Sequence, residues 1–91
     1  KTYTFSVMAK KSVKAGNVSL SIQARYGNRF LGAPAVGKSV KADGTWQEIK
    51  FVFTVPNTGK WGKSNNVLVT LGAGNTSNCV TVFDDFKVEE K

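Results

Sequence analysis

Apolar and polar residues alternate one by one through most of this chain, and no stretch of any length repeats at the 3.6-residue spacing of a helix. Successive side chains of a strand point to opposite faces, so such alternation is the pattern of strands with one face buried and one wet. The clearest case spans residues 17–26. Val18, Leu20, Ile22 and Ala24 point one way, and Ser19, Ser21, Gln23 and Arg25 point the other. A first strand over 2–10 has Tyr3, Phe5, Val7 and Ala9 on one face, with a turn over 11–16 after it. The longest strand is expected over 45–55, with Ile49, Phe51, Phe53 and Val55 inward and Pro56 ending it. Two more follow, over 67–73 and 79–90, and 39–42 reads as a short one. Glycine and asparagine mark the connections: a long loop over 27–37, a turn over 42–45, a loop over 57–66 and another over 74–78. Five strong strands and one or two weak ones predict an all-β fold, an antiparallel β-sandwich forming a single domain over residues 1–91.

With 91 residues and one cysteine, no internal disulfide can staple the fold, and packing alone must hold it. No run of about 20 apolar residues is present to span a membrane as a helix. The first residues alternate like a strand and show no signal-peptide pattern, so an export signal is expected to be removed or to lie outside this sequence.

The formal charge is +7. It points to an acidic partner, or to lysines that solubilise the domain and protect strand edges. No zinc-finger spacing, recognition helix or RNA-binding aromatic motif accompanies the basic residues, which argues against nucleic acid. Histidine is absent, so the commonest general base is missing. Asp84 and Asp85 are adjacent on one strand and cannot flank a glycosidic bond, and Cys79 has no histidine partner. These counts argue against an enzyme, and Cys79 reads as a small buried residue at a strand start.

Regular alternation through the last strand sets Asp84 on one face with Val80, Val82, Phe86 and Val88. An unpaired carboxylate costs several kcal/mol to bury, on the order of a lost charge-assisted hydrogen bond or more. Asp84 must therefore be held by backbone N–H groups, held by a metal, or turned outward by a bulge. Buried bonding to backbone N–H groups is the expectation. Calcium is the alternative, with Asp84 and Asp85 as hard oxygen ligands.

Three segments carry a resemblance. They are Tyr3-Thr4-Phe5-Ser6-Val7-Met8-Ala9-Lys10, then Gly44-Thr45-Trp46-Gln47-Glu48-Ile49 leading to Phe53-Thr54-Val55-Pro56, then Val82-Phe83-Asp84-Asp85-Phe86-Lys87-Val88. In this order they resemble the carbohydrate-binding modules of families four, nine and twenty-two, attached to bacterial cellulases and xylanases. The resemblance implies a jelly-roll, galactose-binding-like sandwich. It also implies a non-catalytic role on xylan, β-glucan or related plant glycans, a catalytic domain in the same polypeptide, and a secreted or cell-surface location. Those modules usually carry a further N-terminal segment that supplies strands and part of a structural calcium site. The chain is therefore either a shortened module or a fragment that needs a partner segment. In such modules the counterpart of Trp46 packs as structure, so Trp46 is expected in the core.

Sugars are gripped by aromatic rings on their apolar faces and by polar side chains on their hydroxyls. Trp61, in a polar loop, and Tyr26, at a strand end, are the aromatic candidates; each also reads as cover for the core rim. Phe30 reads as a loop anchor. Gln23 and Arg25 are candidates on the polar face of the second strand, where the other reading is an ordinary solvated face. Arg29 is a candidate for gripping a uronic acid. The competing function is a structural spacer or cell-surface interaction module without sugar affinity.

Overall fold

A computed structural model describes residues 1–12, 16–73 and 80–91. Its elements are β1 (Thr2–Lys11), β2 (Asn17–Tyr26), β3 (Arg29–Phe30), β4 (Val36–Lys41), β5 (Gln47–Thr54), α1 (Gly59–Gly62), β6 (Asn66–Gly72) and β7 (Thr81–Glu90). The fold is all-β, two antiparallel sheets packed face to face. One sheet has the order β5-β1-β7. The other is built on β2, which pairs β6 along one edge and shares its other edge between β4 and β3.

Alternation places the core. Phe5, Val7, Ala9 and Ile49 from the β1 sheet meet Val18, Leu20 and Ile22 from the β2 sheet, all buried. Phe51 and Phe53 of β5 are half-buried against them, with Phe51 stacked on Phe5 at 5.2 Å between ring centroids. Lys11 ends β1 on this same inward face, although the sequence suggests a turn there. It is 1% exposed. Its Nζ donates to the Ala73 carbonyl oxygen at 2.5 Å, so the buried ammonium is satisfied at the mouth of the sandwich.

Several expectations shift. The loop over 27–37 contains the short strand β3 and the start of β4, which begins at Val36 rather than Ser39. The loop over 57–66 contains the one-turn helix α1. The expected longest strand, β5, is shorter than β1, β2 and β7. Cys79, the loop over 74–78 and part of the turn over 11–16 lie outside the described residues.

The largest correction concerns Asp84. Between the Ser6–Lys87 and Met8–Asp84 pairs, Val7 of β1 faces two residues of β7, which is a β-bulge. Asp85 occupies it with φ 55°, in the left-handed region that aspartate tolerates better than most residues. The extra residue reverses the alternation. Phe83 pairs with buried Ala9 and Val88 with buried Phe5, whereas Val82 and Asp84 pair with Lys10 and Met8 on the outer face. Asp84 is exposed, and its Oδ1 accepts the Asp85 N–H at 2.8 Å. The expected buried carboxylate does not exist; of the three ways to hold Asp84, the bulge is the one used.

The ranking of the two aspartates follows from this geometry. Asp84→Ala is expected to change stability by no more than about 0.5 kcal/mol, as for an exposed side chain. Asp85→Ala places a Cβ-bearing residue without a compensating polar group at positive φ and is expected to lose about 1 kcal/mol. Asp85→Gly should match or exceed the parent. Urea melts of the three variants check the order, and a loss at Asp84 larger than at Asp85 contradicts it.

Candidate functional site

A concave feature among the described residues lies at one open side of the sandwich. There the edge strands β6 and β7 leave Val67, Leu71, Phe86 and Val88 exposed. A cavity of about 450 Å³ opens there. Tyr3, Phe5, Trp61, Val67 and Val88 form its apolar wall, and Asn57, Ser64, Asn65, Asn66 and Lys1 bring polar groups to it.

Trp61 is positioned by the turn that carries it. Gly59 takes φ 64°, which a residue with a Cβ adopts poorly, and Gly62 N–H bonds back to the Thr58 carbonyl at 3.0 Å. A Cβ at Gly62 would stand 2.6 Å from the Asn57 carbonyl carbon, so this close return needs a glycine. Ser64 then ties the turn down, its Oγ donating to the Trp61 carbonyl at 2.6 Å. The indole packs on the Phe53 ring at 4.9 Å and 60°. Trp61 therefore closes one end of the core and presents its remaining surface to the cavity.

The other sequence candidates lie elsewhere. Gln23 pairs with Leu68, and Arg25 pairs with Phe30 on one side and Asn66 on the other, all on the outer face of the β2 sheet. The Arg25 guanidinium donates through Nη2 to the Asn28 carbonyl, which fixes its direction. Tyr26 and Arg29 pair with each other at the tip of the β2–β3 hairpin, with Tyr26 59% exposed. The hairpin is tied to the segment after α1: Gly27 N–H donates to Asn65 Oδ1 at 2.9 Å, and Asn65 N–H to the Arg25 carbonyl at 3.0 Å. The structure thus brings Trp61 together with asparagines of the 57–66 segment. It does not bring Trp61 together with Gln23 and Arg25, which look out from the opposite side of their sheet. Phe30, expected as a loop anchor, is exposed on that outer face.

A second hollow escaped the sequence reading. Trp46 is 45% exposed rather than in the core. It lines a shallow depression of about 300 Å³ with Met8, Asp84 and Asp85 on the outer face of the β1 sheet. Asp85 is engaged there with Lys87, Oδ2 to Nζ 3.4 Å. Among the described residues, no group of three or more Cys, Asp or Glu side chains is placed to hold a metal ion.

The Asn65-Asn66 pair was the missed signal for the cavity. Two amides follow a tryptophan turn and precede an apolar run. Both line the cavity and both are anchored on Gly27, whose N–H donates to Asn65 Oδ1 and whose carbonyl accepts from Asn66 Nδ2 at 3.3 Å. No family model matches this chain, and no curated protein or solved structure does either.

Proposed function

We propose that this domain is a non-catalytic carbohydrate-binding module that takes a plant-type glycan, such as a xylan or β-glucan chain, in the cavity at Trp61. The observation that carries the reading is the cavity's lining: an indole and a phenol ring beside several amides, in a volume typical of ligand sites, about 300–1,000 Å³. Aromatic faces cover the C–H faces of sugar rings, and amides both donate to and accept from hydroxyls. The resemblance of the three segments to cellulase- and xylanase-linked modules supports the same reading. In that role the domain is secreted or displayed on a cell surface, and holds a linked catalytic domain near its polysaccharide at raised effective concentration.

Affinity electrophoresis in gels containing xylan or β-glucan tests this. The parent is expected to be retarded by one of them. Trp61→Ala should weaken retention by about tenfold or more. It should also lower the melting temperature, because the indole contacts Phe53 as well as the cavity. Asn57→Ala, at an exposed position, separates the two effects. It is expected to weaken binding about three- to tenfold while leaving stability within about 0.5 kcal/mol. If no neutral glycan retards the parent, the Trp61 cavity reading fails, and if no polysaccharide of any charge retards it the spacer reading replaces this one.

A further inference from the structure

The charges of this protein are sorted by sheet. β2, β3, β4, β6 and α1 contain no aspartate or glutamate. They carry Arg25, Arg29, Lys38, Lys41 and Lys60, and Lys63 follows α1 directly. Every carboxylate side chain lies in β5, in β7, or at Asp43 in the turn before β5. The β1 sheet and its termini carry Lys1, Lys10, Lys11, Lys50, Lys87 and Lys91 against Glu48, Asp84, Asp85, Glu89 and Glu90, and so nearly balance. The +7 of the chain is therefore almost entirely the charge of one sheet and the turn beside it. By register Arg25 and Lys41 are the cations of that sheet on its outer face, since Lys38 pairs with inward Leu20 and Arg29 with Tyr26.

The outer face of that sheet has a second property. Along its middle, Ser19, Ser21 and Gln23 of β2 are flanked by Ser39 of β4 and Thr70 of β6. Gly37 and Gly72 pair with Ser21 and Ser19. A Cβ at Gly37 would run into the Leu20 carbonyl oxygen and stand 2.7 Å from Ser21 Cα, and one at Gly72 would run into Ser19 Oγ. These positions are bare because the neighbouring chain occupies the space. The result is a flat strip of hydroxyls, interrupted by exposed Leu68 opposite Gln23, with cations at its ends. Lys41 stands opposite Asn17 and Arg25 stands opposite Phe30. Eight residues of β2 separate the two stations, roughly 26 Å at about 3.3 Å per residue.

We propose that this face binds an acidic polysaccharide, a chain of sugars bearing carboxylates, laid along β2. Hydroxyls between two cations match a polymer that offers many hydroxyls together with carboxylates. A nucleic acid would bring phosphates and bases, and few hydroxyls, to the strip. Arg25 has donors left after its bond to the Asn28 carbonyl, and a guanidinium pairs with a carboxylate through two parallel bonds. Phe30 lies beside it as an apolar surface for a sugar ring. The proposal rests on the reading of the domain as a glycan binder, but places the acidic ligand on a surface separate from the Trp61 cavity.

Retention by polygalacturonate is compared with retention by neutral β-glucan, in low salt and in 0.3 M salt. The test variants are Arg25→Gln with Lys41→Gln. The control variants, Lys10→Gln with Lys50→Gln, remove the same charge from the outer face of the β1 sheet. Melting curves confirm that each pair is folded. The expected result is a loss of polygalacturonate affinity of about tenfold or more in the first pair, with less than about a twofold change in the second. Salt should weaken the acidic ligand's binding and leave the neutral one's unchanged. Arg25→Lys should recover only part of the loss, because it restores charge without the fork. Equal losses in the two pairs would show attraction to net charge alone and overturn the proposal. Tighter binding of a single-stranded oligonucleotide, lost in the same first pair, would reassign the face to nucleic acid. Retention by polygalacturonate without retention by any neutral glycan would defeat the Trp61 cavity reading and leave this one standing. Retention by neutral glycan alone would do the reverse.

Discussion

Phe5→Ala is expected to lower stability by about 3–5 kcal/mol, the usual range for removing a buried phenylalanine. Phe5 is 3% exposed and sits mid-strand in β1, the central strand of its sheet. It pairs with Phe51 on β5 and Val88 on β7, and its ring stacks on Phe51 at 18° between planes. One truncation therefore removes contacts to both flanking strands at once. A domain of this size has about 5–14 kcal/mol in total, so the variant should melt lower by more than about 10 °C. Phe51→Ala, at a half-buried position, should lose less. A calorimetric scan of the two variants beside the parent checks both statements. If Phe51→Ala melts below Phe5→Ala, the core is centred on β5 rather than on β1.

The core was legible in the sequence because β2 keeps strict period-two alternation and β1 and β5 depart from it in their buried stretches only at outward Met8 and Val52. Ile22 and Ile49 can be assigned to the interior from their neighbours alone. β7 was not legible in the same way. Its bulge is a property of the pairing with β1, where Val7 meets two residues, and alternation along one strand carries no record of its partner. The local trace was the adjacent pair Asp84-Asp85, since aspartate is among the few residues that accept positive φ. β4 was read too short because its outward positions are Gly37 and Ser39, which give alternation little contrast. The helix α1 is a single turn and too short to show a period.

For the candidate site, residue identity was legible and surface was not. Trp61 stood out as an aromatic residue in a polar loop, and it does reach a cavity. Arg25 and Gln23 stood out as the polar side of β2, and they do face outward. That these belong to two surfaces follows only from topology, because the segment carrying α1 runs from β5 to the β2 edge and turns Trp61 onto Phe53 of the other sheet. Trp46 shows the same limit from the other direction. The tryptophan follows a tight turn and precedes a strand, a place compatible with either face, and its position before Gln47 sets it on the outer side near Met8. Lys11 falls within the turn read around Gly16 and Asn17, although its distance from Ala9 gives it the buried face.

Gly37→Val tests the flat strip and the pairing beneath it together. Gly37 lies opposite Ser21 in the β2–β4 ladder, and the Leu20 carbonyl and Ser21 Cα already fill the space where its Cβ would stand. Backbone atoms of the central strand cannot move aside as a flexible side chain can, so β4 must shift away from β2. Overpacking of this kind is expected to cost about 1–3 kcal/mol. Part of that strain should appear as local loosening of β4, because it is an outer strand of its sheet and yields more readily than β2. Amide hydrogen exchange is the discriminating measurement: protection should fall at Val36–Lys41, while Phe5, Val7 and Leu20 keep theirs. Gly72→Val is the companion variant. There the obstruction is the Ser19 hydroxyl, a side-chain atom that can rotate away, so the loss should be smaller. If the two glycines tolerate valine equally, the backbone of β4 does not approach β2 as closely as this geometry requires. If valine at Gly37 loosens β4 and also lowers retention by acidic polysaccharide, the bare strip between Arg25 and Lys41 is the surface the polymer follows.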